Sequence, residues 1–552
     1  MAEVDFQRLR FEYARHADQD AAAPATHPVV IVGAGPVGLS LAIDLAQRNV
    51  PVVLLDNDNT LSTGSRAICF AKRTLEIFDR LGCGDAMAAK GVSWNVGKVF
   101  FGDAQIYSFD LLAETGHERP AFINLQQYYV EGYLAQRAAQ LPLIDLRWSN
   151  KVVAIAQREH DALLIVDTPD GRYELIASHV VACDGSRSTL RELVGQQPQG
   201  RTFRDRFLIA DVKMSAVDQP AERWFWFDPR FHPNQSVLLH MQPDNVWRID
   251  FQLGWDADPE VEKRPENIIP RVKALLAHSV MKDAQFELEW ASVYTFACQR
   301  MESFRHGRVL FAGDSAHGVS PFGARGANSG VQDADNLGWK LALVLQGRAP
   351  DALLATYCSE REFAADENIR HSTRATDFIT PKSEISRLFR DAVLDLSREH
   401  AFARTLVNSG RLSTPATLRE SPLNTADCAS FDGRMVPGAA AVDAPVKLHD
   451  GRDGWLLRAL GAGFTALVFD DDTPLDAAAI TGVPLQVLRV RSCGHTPDAT
   501  HVLDRDGVVA ERYDLLPGSV VVLRPDQHVC ARWRRPSVEA VRHALERALA
   551  LH

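Results

Sequence analysis

The feature that most constrains the fold is a glycine-rich turn that joins a short apolar strand to a helix near the start of the chain. The strand, residues 29–32, is rich in β-branched side chains, and the segment after the turn has apolar residues at helical spacing. A second apolar run, residues 51–56, ends in Asp56, 23 positions after Gly33. Strand, glycine turn, helix and strand in this order predict a βαβ unit of a parallel sheet.

The turn has the pattern GxGxxG, and its glycines are Gly33, Gly35 and Gly38. In a βαβ unit the backbone amides at the start of the helix can hold a pyrophosphate, and Asp56 can accept hydrogen bonds from ribose hydroxyls. The sequence therefore predicts a site for an adenine dinucleotide. The alternative is that the glycines only allow the helix to pack closely against the strand.

A second constellation, CDGSRSTLR over residues 183–191, follows a strand-like run. Its members of interest are Asp184, Gly185 and Arg191. Taken alone, the segment is also compatible with an ordinary strand-to-helix turn, in which Asp184 caps the helix and Arg191 is a solvated charge.

A third constellation begins with Gly313, the last residue of the strand-like run RVLFAG, and Asp314. A glycine-rich loop, residues 321–330, comes next and precedes a helical pattern. A carboxylate at the end of a strand, followed by such a loop, predicts a second cradle for an anion or a ribityl chain. The loop contains Pro321, Arg325, Gly326 and Asn328.

The three constellations, in this order, resemble the single-component FAD-dependent aromatic hydroxylases over about residues 28–410. The resemblance implies bound FAD, and Asp184, Gly185 and Arg191 are expected to serve the pyridine nucleotide as well. Gln126 competes with Gln127 for one role in cofactor binding. The expected FAD ligands are Gly33, Gly35, Gly38, Asp56, Arg66, Gln127, Asp184, Gly185, Arg191, Gly313, Asp314, Gly326 and Asn328.

The resemblance also implies catalytic residues. Pro321 matches a loop proline whose carbonyl lies beside the substrate hydroxyl, and Arg325 stands where related hydroxybenzoate enzymes carry a lysine. Either cation would favour the reduced, anionic flavin, whereas the alternative is an Arg325 in a surface ion pair. Three further residues lie toward the expected substrate region and are equally compatible with the core: His240, Arg248 and Tyr294.

The reaction that the resemblance implies is the hydroxylation of a phenolic ring. NADH or NADPH reduces FAD, dioxygen adds to the flavin, and the resulting C4a-hydroperoxide delivers an oxygen atom to the ring. The single dinucleotide fingerprint fits a family in which NAD(P)H has no domain of its own. A related flavin epoxidase, another flavin oxidoreductase, and a flavin-bound redox sensor or scaffold are the alternatives.

The patterns along the chain predict an α/β protein with several parts. The last part resembles a thioredoxin-like domain without the CxxC of dithiol chemistry, because Cys493 and Cys530 are isolated. The parts are a loosely held N-terminal extension (1–27), a Rossmann-like FAD-binding domain (28–204 and 296–420, the latter with a helical segment), an inserted β-sheet substrate domain (205–295) and the C-terminal domain (433–552).

The composition limits the classes of binding partner and the cellular compartment that we expect for this protein. A net charge of −11 and a pI of about 5.9 argue against nucleic acid or an anionic membrane as a partner. The eight cysteines show neither a CxxC pair nor metal-ligand spacing, so we expect reduced thiols in the cytoplasm and no metal site. The expected partners are a small phenol, dioxygen and NAD(P)H, with a homodimer as an open question.

Overall fold

The structure is a computed structural model that describes residues 5–64, 66–215, 219–407, 412–472, 485–492 and 501–551. Three large sheets and one small one organise these residues. Helices cover the sheets, which confirms the predicted α/β class.

The strands differ widely in length, from two residues to sixteen. In chain order they are β1 (Ala25–Val32), β2 (Val52–Leu55), β3 (Cys69–Ala71), β4 (Val92–Trp94), β5 (Val96–Phe101), β6 (Ala104–Asp110), β7 (Phe122–Asn124), β8 (Ile144–Arg147), β9 (Lys151–Gln157), β10 (Ala162–Thr168), β11 (Gly171–Ala182), β12 (Gln199–Met214), β13 (Arg223–Phe227), β14 (Ser236–Met241), β15 (Val246–Leu253), β16 (Phe286–Arg300), β17 (Arg305–His306), β18 (Val309–Phe311), β19 (His317–Gly318), β20 (Pro445–Lys447), β21 (Asp453–Trp455), β22 (Phe464–Phe469), β23 (Leu485–Arg491), β24 (His501–Leu503), β25 (Val520–Leu523) and β26 (Val529–Trp533).

The α-helices include two long ones, of 20 and 28 residues, in the predicted helical segment. In chain order they are α1 (Pro36–Gln47), α2 (Lys72–Leu81), α3 (Gly84–Lys90), α4 (Gln127–Ala139), α5 (Thr189–Leu193), α6 (Pro259–Glu262), α7 (Pro265–Ala277), α8 (Gly326–Leu345), α9 (Ala352–Ile379), α10 (Glu384–Leu396), α11 (Ala401–Val407), α12 (Leu456–Ala459), α13 (Val508–Tyr513) and α14 (Val538–Ala548).

The first sheet contains the predicted βαβ unit. Its main path runs β17-β18-β11-β1-β2-β8, and the five strands from β18 to β8 are parallel to their neighbours. β2 and residues 29–32 of β1 are apolar and buried, as expected for interior strands of a parallel sheet. β9 and β10 extend it as the antiparallel meander expected for residues 150–183.

The second sheet has the order β19-β16-β12-β15-β14-β13-β5-β6. One face packs against helix α7 through a core that includes Trp226, Ile249 and Leu275. The opposite face packs toward the loop at residues 321–323, with Phe207 and Phe296 against Phe322.

This sheet draws on more of the chain than residues 205–295. β5 and β6, which the sequence analysis places in the first part of the FAD-binding domain, join it because β5 pairs in parallel with β13. Pairing between strands more than 100 residues apart leaves no local pattern in the sequence.

The N-terminal segment is held more firmly than the sequence suggested. Phe6 is buried and contacts the rings of Tyr129 and Tyr133 on α4, and Phe11 stacks on Trp148 with ring centroids 4.1 Å apart. The expectation of a loosely held extension is therefore wrong for the described residues from position 5 onward. Two aromatic anchors in a polar segment supply the apolar contact that the composition did not reveal.

The third sheet, β21-β20-β24-β23-β22-β25-β26, forms the C-terminal part and shares a core with α8. The predicted closing helix is α14, and its N-cap Ser537 accepts a hydrogen bond from Ala540 N at 3.2 Å. Cys530 is fully buried and burial raises its pKa to about 12, so its thiol is poorly suited to redox chemistry. Cys493 lies outside the described residues.

A buried ion network joins the third sheet to α8 and α9. Glu360 accepts hydrogen bonds from Lys340 Nζ at 2.7 Å and from Arg524 Nη1 at 2.6 Å, and Arg524 also pairs with Asp526. Burial opposes the charge of Glu360, yet the two cations hold its pKa well below the usual range. Because removing one partner from a buried pair is strongly destabilising, these contacts fix the C-terminal part against the two long helices.

No helix in the described ranges is both long enough and apolar enough to cross a lipid bilayer.

Candidate functional site

The predicted cofactor residues meet at one edge of the first sheet. Gly33, Asp56, Asp184 and Gly313 each lie just after the carboxyl end of one of four adjacent parallel strands, β1, β2, β11 and β18. Backbone hydrogen bonds continue the alignment past the strand ends, from Gly33 N to Leu55 O and from Cys183 N to Val32 O, both at 2.7 Å. Ligands of open parallel sheets bind at this edge.

The three glycines of the GxGxxG turn have different surroundings. A Cβ on Gly33, whose φ is +105°, would lie 2.4 Å from Cys183 O, and one on Gly38 would lie 1.9 Å from Gly33 O. These two positions require glycine for packing. A Cβ on Gly35 would meet nothing within 4 Å, so close packing does not explain this glycine, whereas a ligand against the backbone would.

Asp56 holds the turn in place. Its Oδ2 accepts a hydrogen bond from Ala34 N at 2.6 Å, and its Oδ1 accepts one from Asp58 N at 2.8 Å. Desolvation raises the pKa of this carboxyl. Each oxygen retains a further lone pair, so the expected contact to ribose remains compatible with these bonds.

Asp184 and Arg191 connect the second constellation to the third. Asp184 Oδ2 accepts a hydrogen bond from Leu190 N at 3.0 Å, which is the helix-capping role considered from the sequence, although Ser188 is the N-cap of α5. Arg191 is buried, not solvated, and donates to Ser315 O at 2.9 Å and to Ser186 O at 2.7 Å. The arginine therefore fixes the two loops relative to each other.

The third constellation rests on a buried triad. Asp333 of α8 accepts hydrogen bonds from Gly313 N at 2.9 Å, from His317 Nε2 at 2.7 Å and from Arg361 Nε at 2.6 Å. Burial opposes the charge of Asp333, but His317 and Arg361 hold its pKa below the usual range. Gly313 has a φ of +66°, so the turn before Asp314 is both glycine-dependent and anchored.

Asp314 itself is exposed and makes no side-chain hydrogen bond within the described chain. Surrounding protein nevertheless desolvates its carboxyl and raises the pKa. An unengaged carboxylate at the carboxyl edge is suited to accept hydrogen bonds from ligand hydroxyls.

The loop that carries Arg66 is held by α4. Gln127 accepts a hydrogen bond from Ala67 N at 3.1 Å and donates to Glu131 at 2.8 Å, while Glu131 accepts one from Ser62 N at 2.7 Å. The Gln127 amide thus positions the loop. The competing candidate, Gln126, is buried and donates to Pro243 O at 3.4 Å.

Asn328 joins α8 to the small sheet. Its amide nitrogen donates to Cys69 O and Ala324 O at 2.8 and 2.6 Å, and its oxygen accepts a hydrogen bond from Ala71 N at 2.8 Å. The side-chain amide of Asn328 is therefore already hydrogen-bonded to backbone groups. Its contribution to FAD binding would be indirect, by fixing the position of the loop before α8. Two further glycines predicted as FAD ligands, Gly185 and Gly326, are also open, because an added Cβ there would meet nothing closer than 3.8 Å.

The second sheet presents a polar row toward these loops. Arg223, His240 and Arg248 are directly opposite one another on β13, β14 and β15, so their side chains share a face. Arg248 Nη1 donates to Arg66 O at 3.2 Å, and His240 Nδ1 lies 4.0 Å from Cys69 Sγ. The row therefore contacts the loops at residues 66–69 of the first part.

The pKa values of His240 and Tyr294, two titratable residues of this sheet, are shifted in opposite directions. Burial, with help from Arg223 and Arg248, lowers the pKa of His240 well below its ordinary value, so the imidazole is neutral. Tyr294 is 43 % exposed and stacks on Phe296, and desolvation together with the charge of Asp314 raises its pKa to about 12. Neither residue carries a charge at neutral pH.

Pro321 and Arg325 lie on the loop before α8. Pro321 is exposed, and its carbonyl accepts a hydrogen bond from Ala324 N at 3.0 Å. Arg325 is buried, packs over Gly323 and donates to Asn368 Oδ1 at 3.3 Å. This burial is inconsistent with the alternative of a surface ion pair.

Several contributors to the site were missed by sequence reasoning. Asp333 and Glu131 shape the loops through backbone amides, a role with no residue signature. Arg223 begins the aromatic run RWFWF, in which a single cation among four aromatic residues has no motif of its own.

The residues present fit a bound dinucleotide. Gly35 leaves open space at the start of α1, and Asp184 Oδ1 is buried with no hydrogen-bond partner among the described residues. Together with Asp314, these groups match a pyrophosphate and ribose or ribityl hydroxyls. A Rossmann-like sheet with these features at its carboxyl edge, opposed by a second sheet, defines a nucleotide-binding flavoprotein.

Comparison with known proteins supports the assignment as a flavoprotein. Residues 26–372 match the family model described as FAD binding domain, and the chain belongs to this family. It is 30 % identical to the 3-(3-hydroxy-phenyl)propionate/3-hydroxycinnamic acid hydroxylase of Burkholderia cenocepacia (strain HI2424), over 91 % of this chain and 93 % of that one. The hydroxylase of the same name from Mycolicibacterium smegmatis is 28 % identical over 92 % of this chain and 90 % of that one.

Among solved structures, the flavin-dependent monooxygenase PieE, in complex with FAD and substrate, is similar in fold. The TM-score is 0.81 at 22 % identity, and the match covers 96 % of this chain and 100 % of that one. The predictions of a Rossmann-like flavoprotein and of an FAD-dependent aromatic hydroxylase family are confirmed. The roles of individual site residues stay predictions.

We predict that Asp314→Ala lowers FAD retention about tenfold to a hundredfold while leaving the melting temperature of the apoprotein nearly unchanged. The carboxylate makes no hydrogen bond within the described chain, and charge-assisted bonds to a ligand contribute about 1.5–3 kcal/mol. Flavin content after gel filtration and thermal denaturation are the measurements. Asp333→Asn is the control, which should lower both quantities because it removes bonds to Gly313, His317 and Arg361. Full flavin occupancy in Asp314→Ala would contradict the assignment.

Proposed function

We propose that this enzyme hydroxylates a phenolic ring with dioxygen and with NADH or NADPH as the electron donor. The observation that carries the proposal is the polar face of the second sheet, which contacts the loops at residues 66–69 and 321–323 beside the cofactor edge. The relatives whose names specify hydroxyphenylpropionate and hydroxycinnamic acid support a phenolic substrate. FAD, when bound, supplies the activation of dioxygen.

The chain's own residues bind and orient the reactants. Gly33, Gly35 and the start of α1 would hold the pyrophosphate, and Asp184 and Asp314 would accept hydrogen bonds from hydroxyls. The exposed Pro321 would place its carbonyl toward the substrate hydroxyl. Tyr294 retains its proton at neutral pH and therefore can donate a hydrogen bond but cannot serve as the base.

Aromatic packing would exclude water from the reacting ring. Phe207, Phe296 and Phe322 form edge contacts between the second sheet and the loop. Exclusion of water protects a reactive oxygen donor from wasteful breakdown to hydrogen peroxide. NAD(P)H would approach transiently, since the sequence has one dinucleotide fingerprint.

The purified holoenzyme should oxidise NAD(P)H faster when a suitable phenol is present, and the product should contain one oxygen atom from labelled dioxygen. Stimulation follows from coupling reduction to substrate binding. Mass spectrometry of the product and an assay for hydrogen peroxide separate hydroxylation from uncoupled oxidation. An epoxide product from an alkene would favour the epoxidase alternative, and absence of stimulation by any phenol would favour the redox sensor.

Arg325→Gln should slow anaerobic reduction of the flavin by NAD(P)H about thirtyfold and lower the reduction potential. The guanidinium is buried at the start of α8, where it would stabilise the negative charge of the reduced flavin, and a loss of about 2 kcal/mol corresponds to this factor. Stopped-flow reduction at substrate saturation is the measurement. Arg325→Lys should retain most of the rate. Equal rates and potentials for wild type and Arg325→Gln would leave the residue a structural role only.

Homodimer formation is a second part of the proposal, and an exposed apolar face supports it. Five large side chains on α10 and α11 are each more than half exposed, and their area is on the order of the ~800 Å² per partner in a standard interface. They are Ile385, Leu388, Phe389, Phe402 and Leu406.

Sedimentation velocity should therefore show a dimer at micromolar concentration and a monomer for Phe389→Glu, because a charge cannot be buried in an apolar interface without cost. Flavin content is the control and should be equal in both proteins. A monomeric wild type would contradict a second copy as the occupant of this face.

A further inference from the structure

Arg223 is a buried cation that has no carboxylate partner among the described residues. It is 7 % exposed at the start of β13, and the one side-chain hydrogen bond that it makes within the described part of the chain goes from Nη2 to Phe322 O at 3.3 Å. Its Nε is buried and has no partner within the described residues. A buried guanidinium in such surroundings is unstable unless some anion compensates it.

The nearby carboxylates serve the other arginine of the row. Asp250 accepts a hydrogen bond from Arg248 Nε at 2.9 Å, and Asp211 is directly opposite Arg248 in the sheet. Burial opposes the charge of Arg248, yet these two carboxylates raise its pKa. Desolvation instead lowers the pKa of Arg223, although the charge of Asp250 acts in the opposite direction. Within the ranges that the structure describes, no carboxylate therefore pairs with the positive charge at the Arg223 end of the row.

The position of Arg223 relates it to the substrate. Phe322, its hydrogen-bond partner, directly follows Pro321, the residue expected beside the substrate hydroxyl. The neighbour His240 is neutral, so it can donate or accept a hydrogen bond but adds no second charge. One guanidinium beside one neutral imidazole matches a singly charged, bidentate anion such as a carboxylate.

We infer that Arg223 is a specificity-determining residue that binds the carboxylate of an acidic phenolic substrate, with His240 as its hydrogen-bonding neighbour. The inference rests on the proposed function, since it names the class of phenol that the site takes. The substrate carboxylate would supply the negative charge that pairs with Arg223. An uncharged phenol of the same shape would leave the guanidinium without this ion pair.

The test compares 3-(3-hydroxyphenyl)propionate with its amide, which has the same ring and tail but no charge. Binding to the oxidised holoenzyme is titrated through the change in flavin absorbance, so that no turnover is needed. Wild type should bind the acid about ten to a hundred times more tightly than the amide. Arg223→Met should lose this preference by weakening acid binding alone, and Arg223→Lys should restore part of it.

The control variant is Arg230→Met, which removes an arginine of the same sheet region that is exposed and pairs with Asp103. It should bind both compounds as wild type does. Equal loss of acid and amide binding in Arg223→Met, with normal flavin content, would show a structural role and overturn the inference. So would a wild type that does not prefer the acid, or that binds neither compound.

Failure of the proposed function has a different signature. If the acid binds with the expected dependence on Arg223 but neither stimulates NAD(P)H oxidation nor gains an oxygen atom, the carboxylate site stands and the hydroxylase reaction does not. If acid and amide are hydroxylated with equal kcat/KM, the reaction stands and the role of Arg223 does not.

Discussion

The structure depends on four parallel strands that end at one edge. Because β18, β11, β1 and β2 are neighbours, the turns that follow them are brought together from positions 33 to 313 of the chain without any further device. Each turn then has its own anchor: Asp56 for the first, Arg191 between the second and third, and Asp333 for the third. A parallel sheet leaves these backbone amides and carboxylates facing one cleft, and this makes a dinucleotide site the natural consequence of the fold.

Helix α8, which contributes to the cofactor edge, is fixed in position by contacts with the C-terminal part. α8 begins at the loop of Arg325, carries Asp333 in its first half and Lys340 in its second, and Lys340 belongs to the buried network around Glu360 and Arg524. The C-terminal part thus contributes to the cofactor edge although none of its residues was predicted to touch the cofactor. Each buried charge of this network needs its partners in place, because an unpaired buried charge is strongly destabilising. The network therefore couples the position of the third sheet to that of α8.

The sequence was informative where one local segment determines the structure. The βαβ unit, the meander before Asp184 and the capped closing helix all follow from periodicity and turn chemistry, and the family motifs predicted which loops would meet. The sheet membership of β5 was invisible because its partner β13 lies more than 100 residues away. The same holds for Asn328 and Gln127, predicted as ligands, whose amides are used by backbone groups that only the folded chain brings near.

Acidic and basic side chains lie on both sides of the cleft, and the partners that each of them has bear on the chemistry. Asp184 and Asp314 lie at the sheet edge, where sugar or ribityl hydroxyls are expected, and Arg191 of the same edge donates to backbone carbonyls. On the second sheet Arg248 pairs with Asp250, whereas Arg223 has no carboxylate partner in the described ranges. Arg325 lies at the start of α8. Reduction of a flavin and ionisation of a phenol both place negative charge in the cleft. Preorganised cations and the N-terminus of α8 can stabilise that charge without rearrangement. The lack of a carboxylate partner for Arg223 in the described part of the chain is consistent with this arrangement if, as we infer, the counter-charge comes with the substrate.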